Sequence, residues 1–287
     1  MKYQYVASTP INSPAQKFLN AHLLRRPWLR EPGASAQWPS RRPRSTMPRW
    51  LQALVDGVFP PHCEACERPL PIGHGSCLCA PCRATMAAPP APVCQSCGLP
   101  LGTSCQSNSC PGCTHRPPAF TAARAAALYL HSASGLNALA AAVQGLKYRR
   151  RRRLADALGA LLAERYPFAP DALLVPVPLH RTRLRARGFN QALLLARALG
   201  RRRGLQVAPR LLVRTRATEA QARLAAAERR LNLDGAFAVR FPRRCLERSL
   251  VLVDDVLTTG ATADACARAL LAAGAARVDV YTVGRAP

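Results

Sequence analysis

Apolar residues follow two alternating patterns from about residue 121 onward. Short, nearly continuous apolar runs, clearest in ALLVPVPL at 172–179 and SLVLVDDV at 249–256, have the length and β-branched content of buried strands. Longer Ala/Leu-rich stretches lie between them, and the one at 135–166 has helical spacing at Leu136, Leu139, Val143, Leu146, Leu154, Leu158 and Leu161. This alternation predicts an α/β domain with a mostly parallel sheet flanked by helices.

The preceding part of the chain has a different composition. Residues 1–46 are rich in Pro, Ser and Arg without sustained periodicity, which predicts a disordered basic leader, absent if translation starts at Met47. A short helix is predicted next from residues that share one face: Trp50, Leu51, Leu54, Val55 and Val58. A Cys-rich stretch and a Pro-containing joint, HRPPAF, follow. We therefore predict a leader at 1–46, a helix with a Cys-rich module at 47–118, and the α/β domain at 119–287.

The chain carries a formal net charge of +26, supplied mainly by arginine. Such a surface attracts polyanions, nucleic acid first and anionic membranes second, although a GC-rich genome that favours Arg codons is an alternative explanation. No secretory signal with an apolar core is recognisable, and the stretch 125–146 is too polar to span a bilayer. We expect a cytoplasmic protein without membrane insertion.

Ten of the twelve cysteines lie between residues 63 and 113, and eight of them form four CxxC pairs. The third and fourth pairs repeat the first two at an offset of 31, and CERPLP beside the first set matches CGLPLG beside the second. This spacing is typical of zinc ribbons, in which four thiolates hold one Zn²⁺ and the metal stabilises a module without a large apolar core. The predicted ligands of two structural zinc ions are Cys63, Cys66, Cys79, Cys82, Cys94, Cys97, Cys110 and Cys113.

Some questions about the Cys-rich module stay open at this level. Disulfides are the alternative to zinc, but a cytoplasmic location disfavours disulfides. A zinc site could also combine CxxC pairs from the two different units. Cys77 could replace Cys79 as a ligand, whereas Cys105 and the nearby histidines are expected to be bystanders. Zinc ribbons are structural in some proteins and bind nucleic acid or protein in others, and the basic composition favours nucleic acid.

The stretch VLVDDVLTTGAT, residues 251–262, places Asp254 and Asp255 at the end of a buried strand. A loop of hydroxyl residues and glycine follows, and then an Ala-rich helix predicted at 263–274. Ligands of open α/β sheets bind where strands end and helices begin, and the amides there suit a phosphate. The stretch matches neither the Walker motif nor GxGxxG. The two carboxylates suit either sugar hydroxyls or Mg²⁺.

This stretch is similar to the phosphoribosyl pyrophosphate (PRPP) signature of type I phosphoribosyltransferases. The resemblance implies that Asp254 and Asp255 contact the ribose hydroxyls, and that Mg²⁺ is reached mainly through the pyrophosphate. It also implies that the 5'-phosphate is bound at Val256 and Leu257 and by the segment that we call the Thr/Gly loop: Thr258, Thr259, Gly260, Ala261 and Thr262.

Two arginine-rich stretches extend the resemblance. Residues 173–199 are predicted to form a strand, a loop with arginines at 181, 183, 185 and 187, and a helix from about Asn190; the resemblance places Arg181 and Arg187 on the pyrophosphate. Residues 214–232 look like the segment that closes over PRPP, with Arg214 as a catalytic residue beside the two aspartates. Lys147 is expected near the pyrophosphate. The run 149–153, five arginines, is either a solvated bend between helices or a phosphate-contacting patch.

Together with the cysteines and GLKYRRRRRL, these stretches resemble the ComF family, the competence protein F group also called GntX-like, from about Met47 to the C-terminus. The α/β part is also similar to amidophosphoribosyltransferases, although their N-terminal cysteine nucleophile is missing. The resemblance implies a PRPP-binding protein of DNA uptake in natural transformation that contacts single-stranded DNA.

Three interpretations of function follow. The first is a phosphoribosyltransferase with an unidentified acceptor, in which pyrophosphate leaves C1 of Mg²⁺-bound PRPP. The second is a non-catalytic module that binds PRPP and single-stranded DNA. The third makes the zinc ribbons an adaptor that docks a competence helicase.

Overall fold

The computed structural model describes residues 60–71, 75–102, 108–132, 135–216 and 235–287, together with positions 51, 55, 57 and 233. All of these residues belong to one unit, Trp50–Pro287. The predicted leader and most of the predicted helix at 50–58 lie outside the described residues.

A four-stranded parallel sheet forms the centre of the α/β part. Its strands are β1 (Ala123–Leu128), β4 (Leu173–Pro176), β7 (Ser249–Leu257) and β8 (Arg277–Arg285), in the order β1-β8-β7-β4. All three pairings are parallel. Two antiparallel pairs lie apart from this sheet: β2 (His131–Ser132) with β3 (Gly135–Leu136), and β5 (Leu212–Arg214) with β6 (Phe237–Val239).

Seven helices are described. The two ribbons contain α1 (Ala80–Ala84) and α2 (Pro111–His115), and the α/β part contains α3 (Ala138–Tyr148), α4 (Leu154–Glu164), α5 (Arg181–Arg187), α6 (Gln191–Arg203) and α7 (Ala261–Ala272). A 3₁₀ turn spans Pro242–Arg244. Within the described part of the chain, no helix is long and apolar enough to cross a membrane.

Side chains of β7 alternate between two hydrophobic cores. Val251 and Val253 pack in one core with residues of α3, α4 and α6, whereas Leu250 and Leu252 pack in the other with residues of α7. This period of two is what a strand covered by helices on both faces requires. The predicted fold class, a mostly parallel sheet with flanking helices behind a Cys-rich module, is therefore confirmed.

Helices α4 and α6 approach each other closely at Gly159. A Cβ atom at this position would lie 2.2 Å from the Cβ of Ala198, so only glycine permits the observed distance between the two helices. Helix α6 also packs against β4 and β7 of the sheet.

The two ribbons have the same backbone structure at the predicted offset of 31. A bridge joins His62 to Pro69 in the first ribbon, and the corresponding bridge joins Val93 to Pro100 in the second. The first ribbon shares a core with the α/β part through Leu70, Leu78 and Met86. The second ribbon contacts β1, where Ala123 N donates to Ser96 O at 2.6 Å. The domain boundary at residue 118 therefore stays a prediction.

Candidate functional site

A cavity of about 610 Å³ opens at the edge of the sheet where the parallel strands end. Its wall includes the end of β7, the residues after β4, the start of α7 and the last turn of α3. The parallel direction of the strands explains this position. Their carboxyl ends lie at one edge of the sheet, and the N-termini of the helices that follow them lie on the same side.

Most of the predicted site residues line this cavity. They are Lys147, Arg187, Arg214, Asp254, Asp255, Val256, Leu257, Thr258, Thr259, Gly260, Ala261 and Thr262. Arg181 is not part of the wall, and Arg183 lies there instead. The structure therefore brings together residues from four separate stretches of the sequence.

An ion pair joins α3 to the acidic pair. Lys147 Nζ lies 2.7 Å from Asp255 Oδ2, and the Asp255 side chain is buried. Burial alone would lower the pKa of Lys147, but the attraction of Asp255 outweighs it and raises this pKa. The lysine therefore stays charged and neutralises one of the two carboxylates.

Asp254 is in a different electrostatic situation. Its Oδ1 accepts from the backbone N–H of Asp255 at 2.8 Å, and among the described residues it forms no ion pair. Burial, and after it the charge of Asp255, raises the pKa of Asp254 to about 8. Hydrogen bonds between the Asp254 carboxyl group and a ligand in the cavity would therefore stabilise the bound state.

The Thr/Gly loop leads from β7 into α7. Gly260 precedes the helix with a φ of 78°, a left-handed conformation that favours glycine. The helix begins at Ala261, two residues before the predicted start, and ends at Ala272, two residues before the predicted end at Gly274. Asp264 in the first turn accepts from Ala119 N at 2.7 Å and pairs with Arg268 at 2.6 Å. The loop therefore presents exposed Thr258 and Thr259 at a helix N-terminus, which suits an anion.

The predicted arginine loop is a helix, which corrects the sequence prediction. His180 caps the start of α5 by accepting from Thr182 N at 3.3 Å, and Gly188 ends the helix with a φ of 79°. A helix brings residues four apart onto one face, so Arg183 and Arg187 line the cavity together. Arg187 also donates to Gln191 Oε1 at 2.6 Å.

The run of five arginines forms the bend between α3 and α4. Arg151 donates to Glu64 O at 2.7 Å, and both Arg149 and Arg151 pair with Glu67 in the first ribbon. Arg152 lies over the ring of Phe189, 4.9 Å from its centroid. The run is thus a bend between two helices, and its contact with phosphate stays a prediction. Two of its arginines attach the first ribbon to the α/β part.

Arg214 ends β5 at the cavity wall, with its guanidinium 5.5 Å from the ring centroid of Phe237. Burial, and after it the charge of Arg183, lowers the pKa of Arg214. Residues 217–232, most of the predicted closing segment, lie outside the described residues.

Two clusters of four cysteines are assembled, each from consecutive CxxC pairs. The first cluster comprises Cys63, Cys66, Cys79 and Cys82, and the second comprises Cys94, Cys97, Cys110 and Cys113. The sulfur atoms of each cluster lie within 4.8 Å of one another, and a tetrahedral zinc–thiolate site needs sulfur atoms about 3.8 Å apart. The ribbons are therefore not cross-paired, and each cluster fits one structural zinc ion.

Backbone donors support the thiolate form of Cys63 and Cys94. Cys79 N donates to Cys63 Sγ at 3.3 Å, and Cys110 N donates to Cys94 Sγ at the same distance. Hydrogen bonds from Arg68 lower the pKa of Cys66 to about 6. Cys77 belongs to neither cluster, and burial raises its pKa to about 11. Cys105 lies outside the described residues.

Sequence reasoning missed several residues of the cavity wall: Tyr129, Gln144, Gln191 and Thr282. Tyr129 follows β1, so parallel-strand order could have indicated it. Thr282 lies in β8 beside Asp254, in register with it. Two other polar residues of β8 are structural, because Asp279 pairs with Arg277 at 2.7 Å and Tyr281 Oη donates to Leu162 O at 2.9 Å.

Comparisons with known proteins identify the ribbons. The family model described as a double zinc ribbon domain matches residues 54–114. Among solved structures, the glutamine PRPP amidotransferase from B. subtilis complexed with ADP and GMP is similar over 51% of this chain and 27% of that one, with a TM-score of 0.31 and 16% identity. The parallel sheet, the acidic pair with its Thr/Gly loop and the two four-cysteine clusters define an α/β protein with a double zinc ribbon.

Relatives narrow the class to a family. The DNA utilization protein YhgH of Escherichia coli is 37% identical over 237 residues, which cover 79% of this chain and 98% of that protein. Competence protein F of Haemophilus influenzae is 36% identical over 118 residues, 41% of this chain and 51% of that protein. The chain belongs to the family of these two proteins, the ComF family.

Zinc content tests the two clusters. We expect the full chain to hold two zinc ions, and Cys66→Ser to hold one and to melt roughly 5 °C lower or more, because the first cluster belongs to the core shared with the α/β part. Native mass spectrometry and thermal unfolding measure both. Cys77→Ser is the matched control and should keep two ions. A Cys66→Ser protein that retains two zinc ions would contradict the assignment.

The raised pKa of Asp254 predicts a pH effect in the unliganded protein. Between pH 4 and 8 the unfolded chain has lost the Asp254 proton while the folded chain retains it, so this group's contribution to stability is present at low pH and lost as the pH rises toward about 8. Urea unfolding of Asp254→Asn should therefore show a stability that rises relative to the unsubstituted protein from pH 5 to 8, by at most about 1.4 kcal/mol per pH unit.

Asp156→Asn supplies the control for this pH effect. A hydrogen bond from Arg202 lowers the pKa of Asp156, so this group is ionised in both states above pH 5 and its substitution should shift stability by a constant amount. Parallel pH profiles for Asp254→Asn and Asp156→Asn would show that the pKa of Asp254 is not raised.

Proposed function

We propose that the cavity binds PRPP together with Mg²⁺, and that the protein is a phosphoribosyltransferase-like protein acting in DNA utilisation. The observation that carries this proposal is the arrangement at the end of β7, where two carboxylates stand next to a Thr/Gly loop at a helix N-terminus. Carboxylates accept hydrogen bonds from sugar hydroxyls, and helix-start amides bind phosphate, so one short segment suits a phosphorylated sugar.

The charge of the cavity wall supports a highly anionic ligand. Four cationic side chains line it, Lys147, Arg183, Arg187 and Arg214, against the two aspartates. Lys147 already neutralises Asp255, so the three arginines give the wall an excess of positive charge that suits a pyrophosphate group. In this arrangement the ribose lies over Asp254 and Asp255, the 5'-phosphate at the Thr/Gly loop and the pyrophosphate toward α5.

Mg²⁺ fits this arrangement as part of the ligand. Asp254 and Asp255 are the two carboxylates at the wall among the described residues, and one of them is paired with Lys147. Mg²⁺ keeps several waters and binds readily through substrate phosphates with one or two carboxylates. We therefore assign Mg²⁺ chiefly to the pyrophosphate, with Asp254 as the residue that can contact its shell.

Catalysis, in this proposal, consists of stabilising the pyrophosphate as it leaves C1 of the ribose. The bond between C1 of the ribose and the pyrophosphate oxygen breaks, its electron pair leaves with the pyrophosphate, and an acceptor attacks C1 from the opposite face and loses a proton. Arg183 and Arg187 stabilise the charge that develops on the pyrophosphate, and Arg214 stands at the cavity wall beside Arg183. The acceptor is not defined by any residue of the wall.

Calorimetry with PRPP and Mg²⁺ tests the proposal. We expect binding by the unsubstituted protein and at least a tenfold weaker affinity for Asp254→Asn/Asp255→Asn, because both acceptors for the ribose hydroxyls are lost. Glu164→Gln, which removes a carboxylate in a surface ion pair with Arg83, is the control and should bind normally. No binding by the unsubstituted protein, or equal binding by the double variant, would contradict the proposal. Release of pyrophosphate in the presence of candidate acceptors separates an enzyme from a non-catalytic binder.

A second function, binding of single-stranded DNA, is favoured by the surface at the cavity mouth. The side chain of Tyr148 is 73% exposed, and the guanidinium of Arg187 lies 5.5 Å from its ring centroid. Arg181, Arg183 and Arg185 are exposed on the neighbouring α5. An exposed aromatic ring close to several cations is the combination that stacks bases and contacts phosphates in single strands. The names of the relatives agree with a role for DNA, whereas docking of a helicase stays a prediction.

Fluorescence anisotropy with a labelled mixed-sequence oligonucleotide tests this surface. Tyr148→Ala should weaken binding about fivefold or more through the loss of stacking, and Arg181→Gln/Arg185→Gln should reduce the salt dependence by about 1.4 in the log–log slope. Arg201→Gln/Arg202→Gln is the matched pair of arginines, already paired with Asp156 on another helix. Equal effects of the two arginine pairs would show that charge alone, and not this surface, binds the strand.

A further inference from the structure

Arg285, at the end of β8, connects the Thr/Gly loop to the second cluster. Its side chain is 6% exposed. On one side Nη1 donates to Leu257 O at 3.2 Å and to Thr258 O at 3.0 Å. On the other side Nε donates to Cys97 O at 3.0 Å, and Nη2 lies 3.7 Å from Cys97 Sγ. A single guanidinium therefore joins the backbone at the start of the loop to a predicted ligand of the second zinc site.

The internal duplication shows that this contact is specific to the second ribbon. Cys97 corresponds to Cys66 at the offset of 31, and in the first ribbon the exposed, nearby Arg68 donates to Cys66. The position that corresponds to Arg68 is Leu99, which has no side-chain donor. In the second ribbon the donor to the equivalent thiolate is Arg285, which comes from the central sheet.

Charge explains why a buried arginine is stable at this place. Within the described residues no carboxylate lies at ion-pair distance from Arg285, and a buried cation needs a counter-charge. One Zn²⁺ with four thiolates has a net charge of about −2, since the metal contributes +2 and the cysteines −4. The second cluster therefore supplies the counter-charge that the guanidinium needs.

The same contacts orient the peptide groups of the loop. In a trans peptide the C=O and the following N–H point in opposite directions. The carbonyl of Leu257 accepts from Arg285 and also from Ala286 N at 2.9 Å, and the carbonyl of Thr258 accepts from Arg285. The N–H groups of Thr258 and Thr259 therefore point away from Arg285. Both threonines line the cavity, so this orientation directs donors to the place proposed for the 5'-phosphate.

We propose that Arg285 is a positioning residue that holds the Thr/Gly loop in its phosphate-binding conformation, and that the second cluster holds Arg285. The effect on phosphate affinity rests on the function proposed above, whereas the effect on the loop itself does not. Because the coupling of binding free energies is reciprocal, a phosphate ligand on the loop should also increase the affinity of the second cluster for zinc.

The primary experiment measures hydrogen exchange of the amides at 257–262 in the unliganded full chain. We expect Arg285→Gln to reduce their protection about tenfold while leaving α4 unchanged, and Arg285→Lys to have a smaller effect because one ammonium cannot bind both sides. Arg277→Gln, at the other end of the same strand and paired with Asp279, is the control and should leave the loop unchanged. Cys97→Ser should reproduce the effect of Arg285→Gln, and Cys66→Ser should not.

A binding experiment separates positioning from general loss of structure. Arg285→Gln should weaken binding of ribose 5-phosphate about tenfold and leave binding of pyrophosphate, which we place at α5, within about twofold of normal. Unchanged exchange at 257–262 in Arg285→Gln, or equal loss in Arg277→Gln, would overturn the inference. If exchange changes as expected but the unsubstituted protein binds no ribose 5-phosphate, the proposed function fails while the positioning of the loop by Arg285 stands.

If Arg285→Gln does not fold, the decision passes to Arg285→Lys and to the two cysteine variants. Faster exchange at 257–262 in Cys97→Ser but not in Cys66→Ser supports the inference. Equal exchange at these amides in both cysteine variants overturns it.

Discussion

The ion pair between Lys147 and Asp255 determines how the site is built. A buried carboxylate next to a second one is unfavourable unless a cation is held against it, and a buried pair tolerates the loss of neither partner. Lys147 can reach Asp255 because α3 ends beside the edge of the sheet, with Nζ 2.7 Å from the carboxylate. The bend that follows α3 then places Arg151 on the first ribbon. Lys147 and the bend that follows it thus connect the end of β7 with the surface to which the first ribbon is attached.

The duplicated ribbons have diverged in how they contact the α/β part. The first ribbon contributes apolar side chains and two cysteines to a large core and is held by arginines from the bend after α3. The second ribbon contributes few apolar side chains and is attached by hydrogen bonds to β1 and β8. One ribbon therefore supports the side of the cavity that contains Lys147, and the other lies behind the Thr/Gly loop. Two copies of one metal-binding unit thus support two different parts of the structure around the same cavity.

The features that could be predicted from sequence are those with a local pattern. The strands at 172–179 and 249–256, the repeat of the cysteines and the acidic pair before the loop are each visible within a few dozen residues. Helix α5 was missed because RTRLRAR has no apolar periodicity, and its ends depend on a histidine cap and a left-handed glycine. Gln144, Thr282 and Arg285 were missed because their positions depend on strand order, which places distant parts of the chain side by side. Arg181 and Arg183 belong to the same arginine-rich stretch of the sequence. Only the face of helix α5 on which each one lies distinguishes them.

The strand order also has a consequence for the order in which the molecule forms. Strand β8 follows every other described strand in the chain, yet it lies between β1 and β7 and makes parallel pairings with both. Each ribbon can close around its metal from about twenty consecutive residues, whereas the sheet needs contacts between residues more than a hundred positions apart, which form slowly. During synthesis the ribbons can therefore acquire zinc well before the sheet is complete. The metal-bound ribbons are then present as a folded surface on which the last strand assembles.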